Sequence, residues 1–125
     1  MPTVAIVGSR TFDDDDLIRR VIAGLVAEFG PTVVIVSGGS PGADRRSVEL
    51  AREAGLSTRE FLPDEARDGA EAHWVRNGRI ADAADLVVAF YARGPRSPGT
   101  TDTIARAHRR GVTSRVFHEG RWSNE

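Results

Sequence analysis

Short apolar runs alternate with longer amphipathic segments along the chain. Val4–Val7, Val33–Val36 and Leu86–Ala89 are continuously apolar, which is typical of central strands that are covered on both faces of a parallel sheet. Two further runs mix charged with apolar residues, so we expect them near the sheet edges. The pattern predicts strands at residues 3 to 8, 32 to 37, 58 to 62, 85 to 90 and 113 to 117.

The segments between these strands predict helices. Apolar residues recur at helical spacing after the first strand until Gly30-Pro31 ends the pattern. Further helices are expected over 42 to 54, over 71 to 83 and from about 97 to 111, with a polar loop over 63 to 71. This alternation predicts an α/β fold, namely a Rossmann-like three-layer sandwich with a five-stranded, mostly parallel sheet.

Length and composition narrow the class of protein. The 125 residues, 40% of them apolar, predict one domain over residues 1–125. There is no cysteine and no lysine, which excludes disulfides, thiolate chemistry and Schiff-base catalysis. No apolar stretch reaches the roughly 20 residues of a membrane span, and the N-terminal run lacks the basic flank of a signal peptide. We therefore expect a cytoplasmic protein.

Glycine-rich loops follow the strands whose carboxyl ends should meet at one edge of the sheet. Gly8-Ser9-Arg10 follows the first strand, and the segment from Ser37 to Asp44 follows the second and leads into a helix. Exposed amides at a helix N-terminus favour an anion. The alternative is a tight turn in which Ser40 or Asp44 caps the helix.

Two more segments complete the candidate site. Ser97-Pro98-Gly99-Thr100 opens the helix after the fourth strand, and Arg76-Asn77 on the preceding helix is expected to reach a phosphate or a base. A capped Pro-Gly turn and a solvent-facing arginine are the alternatives. The predicted ligand-binding residues are Gly8, Ser9, Arg10, Ser37, Gly38, Gly39, Gly42, Asp44, Arg76, Asn77, Ser97, Gly99 and Thr100.

These motifs, together with Ala84-Asp85 before the fourth strand, resemble those of the YspA-related branch of the SLOG superfamily, over nearly the whole chain. The resemblance implies a Rossmann-like domain that binds a phosphate-bearing nucleotide or nucleotide derivative, of the NAD, ADP-ribose or mononucleotide type. It also implies a sensor or sequestering module, often encoded near phage genes or mobile elements, that forms a homodimer.

The same superfamily includes the LOG-type phosphoribohydrolases, which cut an N-glycosidic bond of nucleoside monophosphates with a P-G-G-x-G-T-x-x-E motif. These enzymes also use an arginine on the preceding helix. Arg76 matches that arginine and Gly99-Thr100 match the Gly-Thr pair of the motif, but the position of the catalytic glutamate is Thr103, which cannot ionise as an acid at neutral pH. Whether the protein is an enzyme stays open. In the hydrolytic alternative, Asp44 or Asp102 is the acid-base group or nucleophile and Arg76 holds the phosphate.

Binding of single-stranded nucleic acid is a further alternative, since DprA is a distant relative in the superfamily. Arg106, Arg109 and Arg110 form a basic stretch, which is more often a solvated helix face. The net charge of −1 gives no general attraction to nucleic acid or to an anionic membrane. We therefore expect a small-molecule nucleotide as the ligand, with neither a nucleic acid nor a membrane as partner.

The remaining conspicuous residues predict structure rather than chemistry. Asp13–Asp16 should cap the first helix, where negative charge complements the dipole. His73, His108 and His118 lack the spacing of metal ligands, and neither a P-loop nor a G-x-G-x-x-G fingerprint occurs. We predict no metal and no cofactor. Trp74 and Trp122 are expected to pack against the domain or a subunit partner.

Overall fold

A five-stranded sheet organises residues 2–119, the residues that the computed structural model describes. Its strands lie in the order β3-β2-β1-β4-β5, and every adjacent pair is parallel. The predicted Rossmann-like α/β fold is confirmed, and the sheet is wholly rather than mostly parallel. The strands are β1 Thr3–Gly8, β2 Val34–Ser37, β3 Ser57–Glu60, β4 Leu86–Tyr91 and β5 Ser114–His118.

Helices cover both faces of the sheet. They are α1 Asp15–Phe29, α2 Ala43–Glu53, α3 Glu65–Asp68, α4 Ala72–Ala83 and α5 Pro98–Arg109, with a 3-10 turn at Gly69–Glu71.

The short helix α3 and the 3-10 turn replace most of the loop predicted over residues 63 to 71. The cause is local, because the Asp64 carboxylate accepts a hydrogen bond from the Arg67 amide at 3.1 Å and so caps α3. Arg67 also forms an ion pair with Asp68 at 2.8 Å. The prediction of a continuous loop was therefore wrong.

The alternation of side chains along β1 divides the core into two layers, since successive residues of a strand point to opposite faces. Val4 and Ile6 pack with residues of α1 and α2, whereas Ala5 and Val7 pack with residues of α4 and α5. Every residue of β4 is buried, while β3 and β5 are largely exposed or half-buried. The mixture of charged and apolar residues in β3 and β5 thus reflects their positions at the edges of the sheet.

The strand order reverses direction between β1 and β4. From β1, strands β2 and β3 extend the sheet on one side, whereas β4 and β5 extend it on the other side. The register pairs Gly8 with Phe90, and the Ser9 amide donates to the Phe90 carbonyl at 2.9 Å. The loops that leave β1 and β4 therefore begin side by side. Open α/β sheets bind ligands at such a switch point.

The aspartates before α1 act at the helix start, as predicted. The Asp14 carboxylate accepts a hydrogen bond from the Leu17 amide at 3.1 Å, and Asp15 pairs with Arg46 of α2 at 2.8 Å. The acidic run therefore caps α1 and joins it to α2.

Gly42 fixes how closely the start of α2 approaches the loop after β1. Its φ is +85°, and a Cβ atom there would collide with the carbonyl oxygens of Ser9 and Arg10. The Ala43 amide donates to the Ser9 carbonyl at 3.2 Å. Only a residue without a side chain permits this contact between the two loops.

We expect Gly42→Ala to lower the free energy of unfolding by more than about 2 kcal/mol, because backbone strain and a backbone collision act together. Gly30→Ala is the matched control, since Gly30 also has a positive φ, +91°, but has nothing near its Cβ position. The control should lose about 1 kcal/mol. Urea unfolding of both variants measures the difference, and equal losses would contradict the close approach.

Candidate functional site

A cavity of about 530 Å³ opens at the switch point between β1 and β4. Its walls come from the loop after β1, the start of α2, one side of α4 and the segment that leads into α5. Most of the predicted ligand-binding residues line it together, although they are far apart in the sequence. These residues are Gly8, Ser9, Arg10, Asp44, Arg76, Asn77, Ser97, Gly99 and Thr100.

The other four predicted residues lie outside the cavity wall. Ser37 is fully buried at the end of β2, and its hydroxyl has no hydrogen-bond partner among the described residues. The Cβ position of Gly39 points at Leu62 and Glu60 rather than into the cavity. Gly38 and Gly42 shape the backbone behind the wall. These four residues therefore do not line the cavity and lie behind its wall.

The loop after β1 is held against two neighbouring elements. A Cβ at Gly8 would lie 2.6 Å from the Ala43 Cβ and would also collide with the Phe90 carbonyl oxygen. The Ser9 hydroxyl accepts a hydrogen bond from the Ala92 amide at 3.0 Å. The β1 loop is therefore fixed to α2 on one side and to the end of β4 on the other.

Asp44 occupies the position that the sequence predicted for a ligand anion. Its carboxylate accepts a hydrogen bond from the Gly8 amide at 2.9 Å, and the amides of Gly38 and Ser40 also bond to it. The side chain is buried, with 5% exposed. The glycine-rich turn after β2 therefore directs its amides at the protein's own carboxylate. Neither Ser40 nor Asp44 caps α2 with its side chain, so the capping alternative of the sequence analysis was wrong.

The electrostatics of Asp44 reflect its burial. Loss of hydration raises the pKa of Asp44 to about 6, although the Gly8 amide and the Arg76 charge act in the opposite direction. Burial lowers the pKa of Arg76, which the Asp44 charge partly offsets. The two side chains form a buried, oppositely charged pair at the cavity wall.

Arg76 is fixed to the protein, contrary to the prediction that it reaches over the site. Its Nη1 donates to the Gly38 carbonyl at 2.5 Å, and its Nε donates to the Asn77 side-chain oxygen at 3.0 Å. The guanidinium also lies 3.4 Å from the His73 Nδ1. Arg76 therefore joins α4 to the turn after β2 and contributes its charge to the cavity from a fixed position.

Asn77 continues this connection to α5. Its side-chain amide donates to the Asp102 carboxylate at 3.1 Å and lies 3.4 Å from the Gly99 carbonyl. Asp102 also accepts from Arg106 at 2.8 Å and does not line the cavity. The structure thus places Asp102 in a contact between helices and not, as the hydrolytic alternative proposed, at the candidate site.

Thr103 stands where the LOG-type motif has its glutamate. It lines the cavity, is 2% exposed, and donates its hydroxyl hydrogen to the Gly99 carbonyl at 3.1 Å. Among the residues that the structure describes, Asp44 is the one carboxylate in the cavity lining. An acid-base role at the Thr103 position is excluded by its chemistry.

The start of α5 keeps one amide free. The Ser97 hydroxyl accepts from the Thr100 amide at 3.3 Å, and the Thr101 amide bonds to the Ser97 carbonyl. Pro98 has no amide hydrogen, and within residues 2–119 the Gly99 amide has no acceptor. Gly99 therefore offers an N–H group at a helix N-terminus that lines the cavity.

Arginine side chains dominate the charge of the cavity. Arg10 is exposed and makes no hydrogen bond or ion pair with the other described residues. Its charge contributes to the lowered pKa of Arg76, after the larger effect of burial, and both arginines line the same cavity. Arg96, which the sequence analysis did not select, also lines the cavity and lies 5.3 Å above the Tyr91 ring.

His73 and Trp74 are further cavity residues that sequence reasoning missed. Because 41% of Trp74 is exposed, it does not pack into the domain, and packing against a subunit partner stays a prediction. Trp122 lies outside the described residues. Their positions one helical turn before Arg76 and Asn77 were the available signal, because residues three apart on a helix share a face.

The basic stretch of α5 is largely neutralised. Arg106 pairs with Asp102, and Arg110 pairs with Asp82 on α4. Only Arg109 has no ion pair within the described part of the chain. One of these pairs lies within α5 and the other joins the end of α5 to α4. The internal pairing removes most of the support for a nucleic-acid surface there.

The first half of the chain, residues 2–67, matches the sequence model of YAcAr, the YspA, cpYpsA-related SLOG family. This match spans just over half of the 125 residues. The chain belongs to this SLOG family. The match ends before α4, so it does not reach Arg76-Asn77 or the Ser97–Thr100 segment, to which the resemblance of motifs extended.

Solved structures share the fold of the SLOG domain at low sequence identity. DNA processing protein A from Helicobacter pylori, described with its single-stranded DNA binding mode, aligns with a TM-score of 0.70 and 18% identity over 92% of this chain and 64% of that chain. DNA processing protein A (DprA) from Streptococcus pneumoniae gives 0.58 and 19% over 94% and 59%. The molybdenum cofactor carrier protein of Chlamydomonas reinhardtii gives 0.68 and 20% over 96% and 79%.

These structural relatives establish the fold alone. The SLOG domain spans less than two thirds of either DNA processing protein A chain. A comparison with curated protein sequences found no significant match.

Residues 2–119 contain neither a membrane-spanning helix nor a cluster of metal ligands. No helix there is both long and apolar enough for a membrane span. The same residues contain no group of three or more histidine, aspartate or glutamate side chains that is arranged to hold a metal ion.

The raised pKa of Asp44 predicts that the stability of the folded protein decreases with pH over a defined range. Its pKa is about 6 in the folded protein and 3.8 in the reference state, so between pH 4 and 6 the folded chain retains a proton that the unfolded chain has lost. The contribution of Asp44 to the free energy of unfolding is therefore complete below pH 4 and decreases as the pH rises through 6.

We expect the difference in unfolding free energy between wild type and Asp44→Asn to fall by up to about 3 kcal/mol from pH 4 to pH 7, since one pKa unit corresponds to about 1.4 kcal/mol. Between pH 7 and 8 the difference should stay constant, which serves as the control. Urea unfolding across this range measures it. A difference that is constant from pH 4 to 8 would contradict the raised pKa.

Proposed function

We propose that the SLOG domain binds a phosphate-bearing nucleotide or nucleotide derivative in the cavity between β1 and β4, and that it acts as a sensor or sequestering module for that ligand. The observation that carries the proposal is the joint presence of Arg10, which has no ion-pair partner among the described residues, and the free Gly99 amide in one cavity. A guanidinium and a helix N-terminus together favour a phosphate.

The charge of the cavity supports an anionic ligand. Arg10, Arg76 and Arg96 line it against the single carboxylate of Asp44, and that carboxylate is already bonded to backbone amides. Within residues 2–119, the positive charge of Arg10 is therefore not neutralised by an ion pair. An entering phosphate would satisfy it.

The size of the cavity and the structural relatives support a small nucleotide. A volume of about 530 Å³ lies within the range of about 300–1,000 Å³ for small-molecule sites. One relative is described with single-stranded DNA, which is itself a polymer of nucleotides. A single nucleotide or a short derivative fits these features better than a polymer does, because the basic stretch of α5 is paired internally.

Hydrolysis of an N-glycosidic bond is a second candidate, and the observation that favours it is Asp44. A carboxyl group in the cavity wall whose pKa is about 6 is suited to exchange a proton near neutral pH. Its bonds to three backbone amides argue for a structural role instead. Chromatography of a nucleoside 5′-monophosphate after long incubation with the protein separates the two, since release of the free base requires catalysis.

A homodimer and an association with phage genes or mobile elements stay predictions from the resemblance to the superfamily. Analytical ultracentrifugation of the purified chain tests the first.

We expect Arg10→Ala to weaken the binding of a nucleoside 5′-monophosphate at least tenfold in isothermal titration calorimetry, because it removes a charge-assisted hydrogen bond to phosphate. Arg109→Ala is the matched control, because it removes the same charge from an exposed residue outside the cavity. The control should bind within twofold of wild type. The proposal is wrong if wild type binds no mononucleotide, NAD or ADP-ribose, or if both variants lose affinity equally.

A further inference from the structure

Trp74 is an exposed aromatic residue within the cavity. It lies in the first turn of α4, 41% of it is exposed, and it is one of the cavity-lining residues. The other two large apolar residues with comparable exposure, Leu62 and Val116, lie outside the cavity lining. Burial of an aromatic ring is favourable, so its exposure at this place requires an explanation.

The Trp74 ring has no partner within residues 2–119. The aromatic pairs there join Phe12, Phe90, Phe117, Tyr91 and His118, and the cation–π contacts involve Phe61 and Tyr91. The indole N–H donates no hydrogen bond to a described residue. Both the ring face and its polar edge are therefore available to a ligand.

The helix places this ring at a suitable position beside the phosphate-binding groups. Trp74 precedes Asn77 by three residues, which corresponds to about 4.5 Å along the helix axis on the same side of α4. The Asn77 side chain lies 3.4 Å from the Gly99 carbonyl. The indole therefore lines the cavity about one helical turn from the side chain that contacts Gly99.

Apolar ring surfaces also come from the other wall. Pro95 and Pro98, which flank Arg96 and Ser97, line the same cavity as Trp74. The cavity thus combines arginine side chains and the Gly99 amide with an indole and proline rings in one lining. A sugar phosphate would use only the polar groups, whereas a nucleotide would also use a ring.

We propose that Trp74 is a specificity-determining residue that stacks on the aromatic base of the ligand, so that the site selects a nucleotide over a base-free sugar phosphate. This inference rests on the proposed function, because it assigns the second half of the same ligand. Base stacking on an aromatic side chain contributes to affinity with little dependence on sequence. The site therefore discriminates for the presence of a base more than for its identity.

The first measurement uses tryptophan fluorescence. The chain contains Trp74 and Trp122, so a Trp122→Phe background leaves Trp74 as the sole tryptophan. We expect a nucleoside 5′-monophosphate to quench this emission with the same midpoint as calorimetric binding. Ribose 5-phosphate, which binds through its phosphate alone, should leave the emission unchanged.

The second measurement compares affinities of variants by calorimetry. Trp74→Ala should weaken the mononucleotide about tenfold or more while changing the affinity for ribose 5-phosphate by less than twofold. Trp74→Phe retains an aromatic face and should stay within about threefold of wild type. Val116→Ala is the control, because Val116 is exposed to a similar degree, 42%, and lies outside the cavity lining. Thermal unfolding checks that each variant is folded.

The outcomes separate this inference from the proposed function. If Trp74→Ala binds the mononucleotide as wild type does and Arg10→Ala does not, the phosphate site stands and base stacking is wrong. If Trp74→Ala instead converts a dimer to a monomer with ligand affinity unchanged, Trp74 belongs to a subunit interface and the inference is overturned. If wild type binds neither mononucleotide nor ribose 5-phosphate, both proposals fail.

Discussion

The Asp44 carboxylate is the interaction on which the candidate site depends. It draws together the amide of Gly8 at the end of β1 and the amides of Gly38 and Ser40 in the turn after β2, and its charge offsets that of buried Arg76. A buried carboxylate is stable only when hydrogen bonds and an opposite charge replace its lost hydration. Two sheet loops and two helices are thereby held in one arrangement.

This internal anion changes what the glycine-rich turn does. Such turns at helix starts commonly bind phosphate, but here the side chain of α2 occupies the amides of the turn. The position that we propose for an external anion is at Arg10 and the Gly99 amide, which have no partner among the described residues. One occupied and one open position would suit a ligand with a single phosphate group.

Arg76 and Asn77 show why the cavity has a defined shape. Arg76 bonds to the carbonyl of Gly38, and Asn77 contacts both Asp102 and Gly99. These two adjacent residues of α4 connect the turn after β2 with the start of α5. The proposed ligand would therefore meet a preorganised wall, with Trp74 one helical turn before Asn77.

The sequence by itself determined the fold class and the position of the candidate site, because apolar periodicity reports burial and the winding of parallel strands brings the loops after β1, β2 and β4 to one edge. It did not reveal that the amides of Gly38 and Ser40 face Asp44, nor that Trp74 is exposed in the cavity. Those outcomes depend on which of several donors and acceptors lie within hydrogen-bond distance, which only the packing of α2 and α4 on the sheet decides. The type of a residue determines which groups it can bind. The tertiary structure determines which of these groups lies within reach of it.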